Sequence, residues 1–311
     1  MNPAYSVIFF TTASGAGYGL LALMGILNAG GYLPVDKWFG LTGFIISLGL
    51  ITLGLLSSTF HLGHPERAWR ALSQWKTSWL SREGIIAVLT YIPSILFAIG
   101  WVFFQKTTDT YMVMGLISSI GAAITVYCTS MIYASLKAIP AWTHNLVPPI
   151  YLVFSLATGG LILNAMLHVY DAPIKDISIF CLLTLALALV LKLKYWKDID
   201  AAPRKTDLAS ATGLGDIGTV RVLDKPNTSE NYLQQEMGFR VARKHAEKLR
   251  RIAITTFFIL PTILVSVTFL VPDLALATTL IAVPAASIGI ATERWLFFAE
   301  AKHVMMSYYE G

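Results

Sequence analysis

Eight apolar runs fill most of the chain, and only two of the polar stretches between them are long. They cover approximately Tyr5–Asn28, Trp38–Phe60, Gly84–Phe104, Tyr111–Ala134, Leu146–His168, Ile177–Tyr195, Ile252–Val271 and Leu274–Ala299. A helix needs roughly 20 mostly apolar residues to cross about 30 Å of hydrocarbon, and each run meets that length. The period-two alternation of barrel strands is absent. The pattern predicts an all-α membrane protein, an eight-transmembrane-helix bundle that forms one integral domain over residues 1–311. Residues 192–251 read as a folded cytoplasmic loop inserted between helices 6 and 7. Composition agrees: 55% of residues are hydrophobic and 13% charged, and the mean hydropathy is +0.63.

Charge placement orients the bundle. With the N-terminus in the cytoplasm, twenty of the 23 Lys and Arg fall on the inner side, and Lys37, Lys106 and Lys175 fall outside. Short loops alone give the same answer, so the positive-inside rule predicts both termini in the cytoplasm. No Lys or Arg precedes Lys37, so the first span lacks the basic segment of a secretory signal and reads as retained. The net charge of +5 follows from this orientation and calls for no nucleic-acid partner.

Two cysteines, Cys128 and Cys181, both within apolar spans, are too few for an iron–sulfur cluster. Gly15, Gly17 and Gly19 in SGAGYG lie inside a span with no preceding strand, which excludes a dinucleotide loop. Gly15 and Gly19 instead form a small-xxx-small face for close helix packing. In the long loop, Gly213–Asn227 reads as turns with a short extended Thr219–Leu223. Tyr232–Arg251 reads as a helix with Arg240, Arg243, Lys244, Glu247, Lys248 and Arg251 on one broad face, suited to anionic lipid or to a cytoplasmic subunit.

The segment HLGHPERAWRALSQWKTSWLSRE, His61 to Glu83, carries the densest chemistry. Pro65 suits the start of a helix, and Ala68, Leu72, Trp75 and Trp79 then make one apolar stripe, predicting an interfacial helix on the inner leaflet. His61 ends span two and Glu83 opens span three, which puts an imidazole and a carboxylate near one membrane boundary, with Arg82 and Arg67 close in sequence. Such groups could bind a quinone head group and exchange its protons. A histidine capping a helix end and a glutamate at a helix N-terminus explain the pair equally well. Glu293 and Arg294 are a second ionisable pair inside an apolar span, either functional or a staple between helices. A bis-histidine haem b would need two facing imidazoles, and His61 with His144 is the pair considered.

The chain resembles the membrane-anchor subunits of DMSO-reductase-type molybdoenzymes over essentially its full length. The resemblance rests on the eight spans, on FHLGHPERAWRAL running into SWLSRE, and on IPAWTHNLVPP, EMGFRVARKHAEKLR and ERWLFFAEAKH. It implies quinone (ubiquinone or menaquinone) binding at His61 and Glu83. It also implies an iron–sulfur electron-transfer subunit and a molybdopterin catalytic subunit as partners, which would hold the clusters and the molybdenum cofactor. Because charge bias places the motif-bearing loop in the cytoplasm, the chain is most similar to the cytoplasm-facing sulfite dehydrogenase branch. Its expected place is the bacterial inner membrane. Three alternatives stay open: the anchor of a quinol-oxidising DMSO or polysulfide reductase, a structural anchor without a quinone site, and a secondary transporter. The last would show an inverted repeat and midplane polar sites.

Overall fold

A computed structural model describes residues 4–59, 64–202, 207–224, 229 and 241–308. It contains eight helices long and apolar enough to cross a membrane, and no strand among the described residues. The first six are α1 (Tyr5–Ala29), α2 (Lys37–Thr59), α3 (Trp79–Phe104), α4 (Asp109–Ala134), α5 (Val147–Val169) and α6 (Lys175–Ala201). A short α7 (Leu208–Thr212) follows. The seventh span joins α8 (Val241–Ala253), a π-helical turn (Ile254–Ile259) and α9 (Leu260–Leu270). α10 (Ala275–Ala299) is the eighth.

The widened turn has a local cause. Pro261 has no N–H to give and its ring crowds the preceding turn. The chain responds with a Leu260 N–H bond to the Thr255 carbonyl, one residue further back than in an α-helix.

α1 and α5 form the centre of the bundle, with 72% and 78% of their membrane windows buried against 28–44% in the other six. α1 packs on α2, α4, α5 and α10, and α5 also on α6 and α10. The central crossing is close enough to require glycine: a Cβ on Gly19 would lie 1.8 Å from the Ser155 carbonyl oxygen, and one on Gly159 2.3 Å from Gly19. Gly15 shares that side of α1, and Ser155 Oγ donates to its carbonyl at 2.6 Å, but a Cβ there would meet nothing. Only Gly19 of the predicted pair is therefore sterically obligatory.

Two predicted elements differ. Pro65–Gln74 is a 3-10 helix, not an α-helix. At three residues per turn its exposed apolar edge is Trp69, Leu72 and Trp75 rather than the predicted Ala68–Trp79 stripe. Ser81 Oγ donates to the Ala71 carbonyl and ties the segment to α3. Thr219–Leu223 forms no strand. α6 continues as helix to Ala201, so the inserted loop starts about ten residues later than hydropathy suggests. The Tyr232–Arg251 helix is present from Val241; residues 232–240 lie outside the described ones.

Candidate functional site

Successive spans run in opposite directions, so the starts of α1, α3, α5 and α8 share one face with the ends of α2, α4, α6 and α10. Glu83 and Arg294 lie one to two turns inside that face, and the cleft reaches Thr158 at the middle of α5. Glu83, in the second turn of α3, is 3% exposed and is hydrogen-bonded to Thr129 Oγ1 on α4. Thr129 Oγ1 also lies 3.0 Å from the Thr125 carbonyl. One hydroxyl proton cannot serve both acceptors. If Thr129 donates to Thr125, Glu83 must be protonated and donate to Thr129; if Glu83 is a carboxylate, Thr129 turns and donates to it. Glu83 also interacts electrostatically with Tyr18, Tyr133 and Tyr151.

Thr129 forms part of the wall of a narrow cleft between α1, α4, α5 and α10, about 310 Å³ in empty volume with its open mouth included. Ser14, Tyr151, Ser155 and Arg294 are among its other polar groups, with Thr11, Thr12 and Thr158. Arg294 is 2% exposed, and its guanidinium carbon sits 3.7 Å above the centre of the Tyr151 ring. Arg294 Nε and Nη1 and the Tyr151 hydroxyl are buried without a hydrogen-bond partner among the described residues. Leaving such donors unpaired costs roughly 1–3 kcal/mol each, more for a charged group, and an acceptor in the cleft would relieve that cost.

Behind the cleft stands a charged group that sequence reasoning missed. Lys192 of α6 is 1% exposed and forms an ion pair with Glu293 of α10, whose other oxygen is 3.5 Å from Arg294 Nη1. The Lys192 ammonium also lies 4.3 Å from the Tyr195 ring centre and 4.9 Å from that of Trp196. Its presence in the apolar run LALALVLKLKYW is the available signal; as the first residue of the inner loop it counts only toward orientation. Glu293 is thus a staple between α6 and α10, while its neighbour Arg294 faces the cleft.

Other predicted site residues go elsewhere. Arg82 donates from Nε to the Trp75 carbonyl at 2.9 Å and from Nη2 to the Lys76 carbonyl at 2.7 Å, and stacks on Trp79. It closes the end of the 3-10 segment rather than reaching Glu83. Arg67 is exposed and pairs with Glu66 at 3.5 Å. His144 accepts from the Leu146 N–H at 3.2 Å through Nδ1, so Nε2 carries the proton and faces Asp198 at 3.3 Å. Nδ1 is engaged within the IPAWTHNLVPP loop, and Nε2 ties that loop to α6. In the same loop Trp142 is buried, donating to the Phe297 carbonyl at 3.0 Å. His61 lies outside the described residues, and with it the His61–His144 haem pair. The cleft lies between α1, α4, α5 and α10, and α3 contributes through Glu83 and its bond to Thr129.

A multi-pass helical membrane protein with a polar cleft near one face is the class this architecture defines. The chain matches the family model described as DMSO reductase anchor subunit (DmsC) over residues 1–299, and it belongs to that family. It is 30% identical to a subunit of sulfite dehydrogenase from Allochromatium vinosum, the alignment covering 100% of this chain and 99% of the relative. No solved structure matches the chain. It is therefore the membrane anchor subunit of an oxidoreductase complex.

Proposed function

We propose that this subunit reduces quinone with electrons from sulfite, oxidised to sulfate at a molybdopterin subunit and passed on by an iron–sulfur subunit docked on the cytoplasmic face of a bacterial inner membrane. The observation that carries the quinone site is the convergence of Glu83, through Thr129, and of Arg294 on one cleft. Arg294 and Tyr151 offer buried, unpaired donors to a ring oxygen. The Glu83–Thr129 pair, whose hydrogen bond can run either way, supplies a proton. The quinone accepts two electrons and two protons, and the residues fix where those protons enter. His61 keeps the role that family resemblance gives it.

Sidedness rests on the excess of Lys and Arg at the site's face. That charge also complements an acidic docking partner, and exposed Ile217 and Leu223 in the inserted loop add apolar contact area. Electrons and protons then enter from the same side, making the reaction electroneutral. The family name supports a second reading, the anchor of a quinol-oxidising reductase, which would run the same site in reverse.

The test is Glu83→Gln in the complex purified in mild detergent, with subunits identified by mass spectrometry and sulfite-dependent reduction of a short-chain quinone followed optically. Loss of a general acid predicts a fall of about 10²-fold or more. Normal quinone turnover in a fully assembled variant would refute the site, and assembly with molybdenum and iron–sulfur partners that do not oxidise sulfite would move the substrate.

A further inference from the structure

The cleft wall holds more positive charge than its neighbours cancel. Lys192 and Arg294 are buried cations, and Glu293 is the buried anion between them: it forms a direct ion pair with Lys192, and its other oxygen stands 3.5 Å from Arg294 Nη1 without a hydrogen bond. Glu83 does not make up the difference. It is bonded to Thr129 and forms no ion pair among the described residues, and in the protonated form in which it serves as an acid it carries no charge. Aromatic rings hold the guanidinium, with the centres of Tyr151, Phe154 and Phe297 at 3.7, 5.2 and 5.8 Å. Stacking offsets part of the cost of burial but leaves Nε and Nη1 without an acceptor among the described residues.

The neutral polar groups of the wall are already committed. Thr11, Thr12, Ser14, Ser155 and Thr158 each donate a hydroxyl proton to a backbone carbonyl at 2.6–3.0 Å. Apart from the Glu83–Thr129 pair, they leave for a ligand the free N–H groups of Arg294 and the Tyr151 hydroxyl. A neutral carbonyl would satisfy those donors. An oxygen bearing negative charge would satisfy them and also cancel the excess charge, and an uncompensated charge is costly in a dry site.

We propose that Arg294 makes the cleft an anion site, selecting ring ligands whose oxygen carries negative charge over neutral carbonyls of the same shape. This deepens the quinone reading above and rests on it. Two electrons from the iron–sulfur partner and two protons convert quinone to quinol. Glu83 gives one proton to one ring oxygen, and water gives the other to the oxygen facing Arg294. Until that second O–H bond forms, this oxygen is an anion, and the guanidinium holds it without giving up a proton of its own. Arg294 thereby binds the reacting state more tightly than the neutral quinone, which is the condition for raising kcat rather than lowering KM.

The test uses two ring analogues of the same shape, an alkylated hydroxynaphthoquinone that is ionised at neutral pH and its neutral methyl ether. Binding of each to the intact complex in nanodiscs of zwitterionic lipid is read by quenching of tryptophan fluorescence. Wild type should bind the hydroxy compound roughly 10- to 100-fold tighter, the worth of a hydrogen bond to a charged group. That preference should vanish below the pH at which the compound itself takes up a proton. Arg294→Met leaves Lys192 and Glu293 as a balanced pair, so no charge is stranded. It should abolish the preference and lower kcat for a short-chain quinone about 10²-fold or more, with KM little changed. Arg294→Lys should keep part of the preference, because the charge stays while the planar fork is lost. Equal affinity of the two analogues in wild type, or a preference that survives in Arg294→Met, would overturn the anion site and leave the quinone reading standing. Loss of hydroxy-compound binding when acidic phospholipid replaces the zwitterionic lipid, with the ether still bound, would assign the anion to a lipid headgroup and overturn the ring assignment. Wild type that binds neither analogue would overturn the quinone reading and the anion site with it.

Discussion

Gly19→Ala tests the central crossing on which the cleft depends. The added methyl would sit 1.8 Å from the Ser155 carbonyl oxygen and 2.5 Å from its carbon. Ordinary contact begins at 3.4 Å, so α1 and α5 must separate locally by about 1.5 Å. The obstacle is backbone, which no rotamer change removes. Overpacking of this kind costs about 1–3 kcal/mol, and here the upper end applies. Separation also strains the Ser155 bond to the Gly15 carbonyl, worth about 0.5–1.5 kcal/mol. Alanine's better helix propensity returns about 0.5–1 kcal/mol. The net is a loss of about 2.5–4 kcal/mol. Gly15→Ala is the internal control, because its methyl meets nothing within 4 Å and it gains the propensity term alone. Both cysteines are free and buried, so a thiol-reactive fluorogenic dye reports unfolding on heating. Gly19→Ala should melt well below wild type and Gly15→Ala at or slightly above it. Equal melting of the two variants would refute the close-crossing argument.

Three further outcomes follow from other contacts. Arg82→Ala should leave quinone-analogue affinity unchanged while increasing proteolysis between Pro65 and Ser78, because Arg82 holds the Trp75 and Lys76 carbonyls; a large loss of affinity with an intact loop would return Arg82 to the binding site. Trp142→Phe removes the donor to the Phe297 carbonyl and should cost about 1–3 kcal/mol in the same dye assay, while no shift would mean the indole bond is unimportant. Glu300 is raised above its ordinary 4.5, so the folded chain keeps this proton to higher pH than the unfolded one. Its contribution is present below about pH 4.5 and is lost as pH rises through the raised value. Glu300→Gln should flatten that limb of melting temperature against pH, and parallel profiles for variant and wild type would contradict it.

The spans are legible because hydrocarbon imposes a length that few other constraints mimic. Tyr5–Asn28 is predicted and Tyr5–Ala29 is found. The largest error is at the inner end of span six, where helix continues into polar sequence. Hydropathy marks where a helix leaves hydrocarbon, whereas backbone hydrogen bonding carries α6 on to Ala201. The 3-10 segment misleads because Leu72 and Trp75 fit a period of 3.6 with Ala68 and a period of 3.0 with Trp69. Ten residues are too few to separate those periods by pattern alone. In the site, Glu83, Glu293 and Arg294 stand out as ionisable groups in apolar runs. Thr129 and Tyr151 are silent, since hydroxyls in membrane helices ordinarily bond their own backbone. Lys192 is ambiguous: the same residue type in the same place is either a positive-inside marker or a buried cation, and only the position of Glu293 decides which.

That distinction bears on the transporter alternative. A transporter binds near the bilayer midplane, where both sides can reach the substrate in turn. Among the described residues the buried charged side chains are Glu83, Lys192, Glu293 and Arg294, and each lies toward the same face. On the far side the charged members of the helices sit at their starts, as with Lys37, Asp109, Lys175 and Asp176. Alternating access would need a polar path through the outer half, and the buried charges provide none there. Aromatic packing further encloses the inner site, with Tyr133, Trp142, Phe297 and Phe298 in mutual ring contact at 5.1–5.8 Å. Buried charge gathered toward one face suits an anchor that meets its partner on that face. In sealed vesicles, turnover should therefore generate little membrane potential on a voltage-sensitive dye, and a large uncoupler-sensitive potential would contradict the one-sided arrangement.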